Sequence, residues 1–400
     1  MTRLMKLIGL LAALALFATA CGSTAEDAVE AVDEAVDEAT DGDDEAMEDD
    51  EAMEDDEAMA DGADCETVDE VSLQLQWFAQ AQFAGYYAAA DHGLYANHCL
   101  DVTILEGGVD IVPQQVLASG GADYAISWVP RVLASREEGI DVVNVAQIFQ
   151  RSGTLQVSFA DSGISGPEDF AGQSIGSWGF GNEFELLAGS RSVGLEPGED
   201  FDVVQQNFDM LALINGEIDA AQAMIYNEYA QVLETINPDT GELFTEDDLT
   251  IIDWNDVGTA MLQDAIWADG GRLGDEAYDD QTTRFIAASM EGWIWCRDNP
   301  GPCVDTVLEN GSTLGTSHQT WQLNEINALI WPSPGGIGVM DADLWTQTVD
   351  VAVAEGVLTA EPEDGAFTTD FAEAAIALIE GDTVGDGFAK GEVELLEGGE

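Results

Sequence analysis

The chain has 400 residues, of which 46% are hydrophobic and 8% aromatic, enough apolar material for a sizeable core and two domains or lobes. Its 80 Asp and Glu against 10 Lys and Arg give a formal net charge of −70, which excludes nucleic acid as a partner. Lysine is confined to Lys6 and Lys390. With the acids dispersed along the chain, this depletion points to a surface adapted to salt, where screening relieves self-repulsion.

The first element, "MTRLMKLIGLLAALALFATAC", places Arg3 and Lys6 before an apolar run from Leu7 to Phe17 and small residues before Cys21, the pattern of an export signal. Ala18-Thr19-Ala20-Cys21 resembles a bacterial lipobox, with Ala where Leu is usual, so Cys21 is expected to carry lipid as the mature first residue. No other stretch approaches the length needed to cross a bilayer. Residues 22–64 are Asp, Glu, Ala and Met, with tandem hexamers "DDEAME", "DDEAME" and "DDEAMA" at 43–60. Dense like charge without aromatic residues predicts a disordered acidic tether.

From Val71 strands and helices alternate. "VSLQLQW" reads as a strand, "QFAGYYAAADHGLYANH" as a helix, "LDVTIL" as a strand, "VPQQVLAS" as a short helix, "ADYAIS" as a strand, "PRVLASREEG" as a helix and "DVVNVAQIF" as a strand. After the strand "TLQVSFA" a second series runs through "QSIGSWG", "NEFELLAGSRSVG", "FDVVQQ", "MLALINGE", "IDAAQAMI" and "YNEYAQVLETI". Beyond "AIWAD" the pattern is largely helical. The expected organisation is a first lobe at 65–158, a second at 159–265, and a mainly helical return over 266–400 that packs on the first. The predicted class is α/β, each lobe a mostly parallel sheet flanked by helices.

Setting Cys21 aside leaves four cysteines in an exported chain, hence two disulfides. Cys296 and Cys303 flank the turn-rich "RDNPGP", which leaves Cys65 to pair with Cys99. His92, His98 and His318 stand at no zinc-site spacing to these cysteines, so no metal site is expected.

The segment "QWFAQAQFAGYYAA" carries three amides, five aromatic rings and no charge where a strand ends and a helix begins, the place where open α/β sheets bind ligands. Trp77, Phe83 and Tyr86 offer ring faces, and Gln80 and Gln82 offer donors and acceptors, which suits a neutral, flat ligand. The alternative for Phe83 is the buried face of the helix, shared with Tyr87. Ser127 and Trp128 follow "ADYAIS" at an equivalent strand end, and Tyr226, Asn227 and Glu228 follow "IDAAQAMI". Glu228 can accept from an exocyclic amine, or Asn227 can cap a helix with Glu228 in its first turn. In "GFGNEFE", Asn182 reads as a ligand contact or as an N-cap with Glu185 as its N3 carboxylate.

"LQWFAQAQFAGYYAAADHGLYANHCLDVTILEGG", "ADYAISW", "GSWGFGNEFEL" and "IDAAQAMIYNEYAQVLE" together resemble the NMT1/THI5-like branch of periplasmic binding proteins, over about residues 70–390. The resemblance implies a two-lobed type II binding-protein fold without a cofactor, acting as a monomer. It would close on a small ligand outside the cytoplasm and deliver it to an ABC transporter permease, with a lipid anchor holding it to the membrane. The implied ligand is a thiamine pyrimidine precursor or riboflavin; nitrate or sulfonate is the alternative, which would need a local clamp from the few arginines of the lobes, Arg131, Arg151 and Arg191, with Arg136 in "SREEG" expected to face solvent. One branch of the family is a pyrimidine synthase with a lysine-held pyridoxal phosphate and a sacrificial histidine. Alignment of "ADYAISWVPRVLA" to that branch puts Ser127 at the lysine and Arg131 at the histidine, and the branch's cysteine cluster is missing near "GTAMLQD", so catalysis is not expected.

Overall fold

A computed structural model describes residues 65–400; the export signal, Cys21 and the acidic tether lie outside the described residues. Ten strands build one five-stranded sheet in the first lobe and, in the second, a three-stranded and a two-stranded sheet linked by a single bridge. β1 (Asp69–Gln74), β2 (Leu100–Leu105), β3 (Tyr124–Trp128) and β4 (Val142–Gln147) belong to the first, β5 (Thr154–Phe159), β6 (Ser174–Ser177), β7 (Asp202–Gln205), β8 (Ala221–Met224) and β9 (Leu249–Asp253) to the second, and β10 (Asp264–Asp269) returns to the first.

The first sheet has the order β2-β1-β3-β10-β4. β1 pairs in parallel with β2 and β3, while β10 is antiparallel to both β3 and β4, so β10 alone runs against the rest. In the second lobe, β5 lies antiparallel between β8 and β9, β6 pairs in parallel with β7, and an Ile175–Ala220 bridge joins β6 to the chain entering β8. β5 is the reversed strand there. The strands of each lobe thus run mostly in one direction, as the alternating elements predict, with one reversed strand at each exchange between lobes, although the β8-β5-β9 sheet is antiparallel at both of its pairings.

The exchanges are the segments 148–153 and 254–263. The first crossing precedes β5, not the 158/159 boundary expected from sequence, because β5 finds its partners in β8 and β9. The two crossings are stitched together. Phe149 N–H donates to Asp264 O at 3.1 Å, Gly153 N–H to Gln263 Oε1 at 2.9 Å, and Gln263 Nε2 to Thr154 Oγ1 at 2.7 Å. Asn255 both accepts from Ser152 N–H and donates to Ser152 O, at 3.2 and 2.8 Å.

The first-lobe core lies between its sheet and the helices Ala84–Asp91 and Glu276–Asp298. The two helices touch where Gly292 faces Gly85; a Cβ at Gly292 would sit 1.9 Å from Gly85 O, so only glycine permits the approach. Tyr124 stacks on Phe285 at 4.3 Å beneath them. The single helix expected over 82–98 is broken at Gly93, whose φ of 68° ends Ala84–Asp91 before Leu94–Asn97 starts. Not all of the helical return packs on the first lobe. The helix Thr316–Ile330 also meets the second, where Trp321 Nε1 donates to Ile225 O at 2.9 Å. Both expected disulfides, Cys65–Cys99 and Cys296–Cys303, are formed. No helix among the described residues is long and apolar enough to cross a membrane.

Candidate functional site

A cavity of about 760 Å³ opens between the lobes, within the range of small-molecule sites. Its walls come from the carboxyl ends of strands in both lobes, as expected for open α/β architecture. From the first lobe, Gln76, Trp77, Gln80 and Gln82 follow β1, the loop 108–112 follows β2, and Ser127 and Trp128 end β3 with Arg131 just beyond. From the second, Trp178, Phe180 and Asn182 follow β6, Phe208 follows β7, and Tyr226, Asn227 and Glu228 follow β8. Gly107 lets the β2 loop lie on the β1 loop: its N–H donates to Trp77 O at 2.9 Å, and a Cβ there would meet Trp77 N at 2.3 Å.

Nine residues expected at the site line this cavity: Trp77, Gln80, Gln82, Ser127, Trp128, Asn182, Tyr226, Asn227 and Glu228. Phe83 and Tyr86 do not. Both are fully buried in the first-lobe core: the helix turns Tyr86 toward Glu276–Asp298, edge-on to Trp293 at 5.8 Å, and the turn carrying Phe83 packs against Thr316–Ile330.

Sequence reasoning missed most of the aromatic wall. Phe208 stands 5.2 Å from Trp77 across the lobes and 6.0 Å from Trp178, to which it is nearly parallel. Phe180 projects from a turn in which Gly179, Phe180 and Gly181 all have positive φ. The wall therefore offers ring faces from both lobes.

The polar groups are more constrained than the sequence implies. Asn182 caps no helix: its Oδ1 accepts from Arg131 Nη2 at 2.7 Å and its Nδ2 donates to Gly179 O at 2.7 Å. Glu185 is buried, with Oε1 accepting from Met261 N–H in the crossing segment and Oε2 without a partner. Asn227 begins the helix Glu228–Leu233 without a capping bond; Nδ2 donates to Glu228 Oε1 at 3.0 Å, and Oδ1 is bridged to Glu234 by His318. Burial pushes the Glu228 pKa up, opposed chiefly by the Met224 N–H on Oε2.

Beneath the floor lies Asp264, the first residue of β10 and another residue that sequence reasoning did not select. Gln76 Nε2 and Trp128 Nε1 each donate to Oδ1 at 2.7 Å, and Gln82 Nε2 donates to Oδ2 at 3.0 Å. Burial raises its pKa to about 7; the three N–H groups and nearby Arg131 oppose a larger rise. An acid opening the buried strand "DAIWAD" is the signal that would have exposed it.

Residues 80–302 match the family described as NMT1/THI5 like, more than half of the chain, and the chain belongs to that family. It is 22% identical over 72% of its length to a formylaminopyrimidine-binding protein of Halalkalibacterium halodurans, of which 86% is covered. It is 25% identical over 76% of its length to the riboflavin-binding protein RibY of Chloroflexus aurantiacus, again covering 86%. A pyrimidine phosphate synthase of Saccharomyces cerevisiae is 25% identical over 38% of this chain and 46% of its own. The periplasmic aliphatic sulphonate binding protein SsuA of Escherichia coli superposes with a TM-score of 0.56 at 15% identity, over 74% of this chain and 90% of that one. The fold is the type II periplasmic-binding-protein fold.

Proposed function

We propose that the protein is the extracytoplasmic substrate-binding component of an ABC importer and captures a small nitrogen heteroaromatic, a thiamine pyrimidine precursor or riboflavin, by hinge closure. The observation that carries this reading is the cavity wall: indole and phenyl faces from both lobes, interrupted by amides and one buried carboxylate. A flat ring stacks between such faces while its edge nitrogens meet the amides. The stitched crossings at 148–153 and 254–263 supply the hinge. One chain provides both walls, so a monomer suffices. The relatives named for formylaminopyrimidine and riboflavin support the ligand class.

The chain releases its ligand unchanged. Ser127 and Arg131 occupy the positions at which the synthase branch has its lysine and histidine. Lys390 is held on Glu325 at 2.9 Å and is not among the cavity-lining residues. A second reading, capture of a small anion, rests on Arg131, whose Nε is buried at the cavity without a partner.

Ligand released by denaturing purified protein and identified by mass spectrometry tests the proposal. A pyrimidine or flavin supports it, and an oxyanion or alkanesulfonate favours the second reading. Lipid on Cys21 attaches the protein to the membrane; Cys21→Ser should move it to the soluble fraction, and retention in the membrane would refute that anchor.

A further inference from the structure

We propose that Asp264 is a positioning residue: by accepting N–H groups from Gln76, Gln82 and Trp128 it leaves the carbonyl oxygens of Gln76 and Gln80 for the ligand, and so selects rings that carry an N–H donor on the edge facing the first lobe. The inference rests on the heteroaromatic reading and deepens it.

Above about pH 7, where Asp264 is ionised, its carboxylate only accepts hydrogen bonds, so each amide that meets it must present nitrogen. That condition fixes the orientation of Gln76 and Gln82 on chemical grounds. The constraint then propagates. Gln82, with Nε2 committed to Asp264, accepts from Gln80 Nε2 through Oε1 at 2.7 Å. Gln80 consequently turns its own Oε1 outward. Gln76 and Gln80 both line the cavity, and neither carbonyl oxygen accepts a hydrogen bond from any described residue. The turn is braced by Ala81 N–H, which donates to the buried Gln319 Oε1 at 2.6 Å.

Other amides at the cavity are already spent. Asn182 and Asn227 use both ends of their side chains within the protein, and Gln114 donates to Ser135 while accepting from Ser127. The selective edge of the first lobe is therefore the Gln76–Gln80 pair of acceptors. The same bonds aim the Trp128 indole, whose Nε1 is held on Asp264, with its ring 5.3 Å from the Arg131 guanidinium. Asp264 also anchors the crossing, since its carbonyl accepts Phe149 N–H, which places edge selection and hinge on one residue.

Two ligands of equal shape separate edge chemistry from stacking: hydroxymethylpyrimidine with its exocyclic amine, and the analogue with a methyl group in its place. At about pH 8, with Asp264 ionised, the full-length protein should bind the amine about tenfold or more tightly than the methyl analogue, the scale of one bond made or one acceptor left unpaired. In Asp264→Asn the new amide donates one N–H, which flips Gln82 and, through it, Gln80. The preference should fall by about threefold or more, Gln76 keeping its acceptor, while the methyl analogue binds as before. Should that variant fail to fold, Gln82→Met cuts the relay without touching the buried acid and should produce the same fall. Equal binding of the two rings by the wild-type protein, or a preference retained in either folded variant, overturns the assignment and leaves the heteroaromatic reading intact. Failure to bind either ring overturns both.

Discussion

Arg131 on the first lobe and Asn182 on the second are joined by a 2.7 Å hydrogen bond at the cavity wall. The bond spans the two bodies that must separate for a ligand to enter. Bonds to charged groups contribute about 1.5–3 kcal/mol, enough to bias a hinge equilibrium. Arg131→Met and Asn182→Ala should each weaken ligand binding about tenfold, and the double variant should lose little more than either single one. Small-angle scattering of the ligand-free variants should show a larger radius of gyration than the wild type. Fully additive losses would show that the bond does not act as a latch.

Trp77 meets Phe208 edge-on at 5.2 Å between the lobes, and Trp128 stands beside Arg131. Replacing either indole by Ala removes a stacking face, about 0.5–1.5 kcal/mol beyond the buried area. Both variants should weaken binding by about tenfold or more in calorimetry. Trp345→Ala, on the helix Ala342–Ala354 where Trp345 packs on Phe367 at 4.6 Å, should leave affinity unchanged. An equal effect of all three would place the ligand elsewhere.

Two buried carboxyls adjoin the crossings, and burial raises both pKa values to about 7, from 3.8 for Asp264 and 4.5 for Glu185. The folded state then holds more protons than the unfolded state between pH 4 and 7, so their contribution is fully present below about pH 4 and is lost as pH rises through 7. Arg131, Tyr86 and Tyr226 face Asp264, and Asp253 acts on Glu185. Asp264→Asn and Glu185→Gln should each flatten the fall in Tm between pH 5 and 7 relative to wild type. Parallel curves for variant and wild type would contradict the assignment.

Most cations among the described residues are already paired with acids, among them Arg272 with Asp123, Arg284 with Asp69 and Asp280, Arg297 with Asp298 and Lys390 with Glu325. With 80 acids in the chain, most carboxylates face like charge. Screening should therefore raise Tm between about 0.1 and 1 M salt, where the Debye length falls from about 10 to 3 Å. A flat or falling Tm would remove salt adaptation from the account.

The strand ends were legible because each expected strand closes with polar or aromatic residues where its alternation stops. Trp77, Gln80, Trp128 and Tyr226 follow from that rule. Phe83 and Tyr86 misled because they lie in the same aromatic run, and the helices that pack on their segments, Thr316–Ile330 and Glu276–Asp298, are about 190 residues or more away in sequence. Phe208 sits in "QQNFDML" with no local sign of a site, and β9 and the partners of β5 depend on pairing across the fold. Asp264 was hidden for the same reason: its three donors come from the segment after β1 and from the end of β3, far along the chain.

Titration calorimetry of the purified protein, preceded by unfolding and refolding to strip bound ligand, tests the central claim most directly. Aminopyrimidine precursors, riboflavin, nitrate and an alkanesulfonate are compared side by side. Micromolar or tighter binding of a neutral heteroaromatic, about −8 kcal/mol, lost in Trp77→Ala, is the predicted result. Binding of nitrate or sulfonate alone, indifferent to Trp77 and dependent on Arg131, would contradict it.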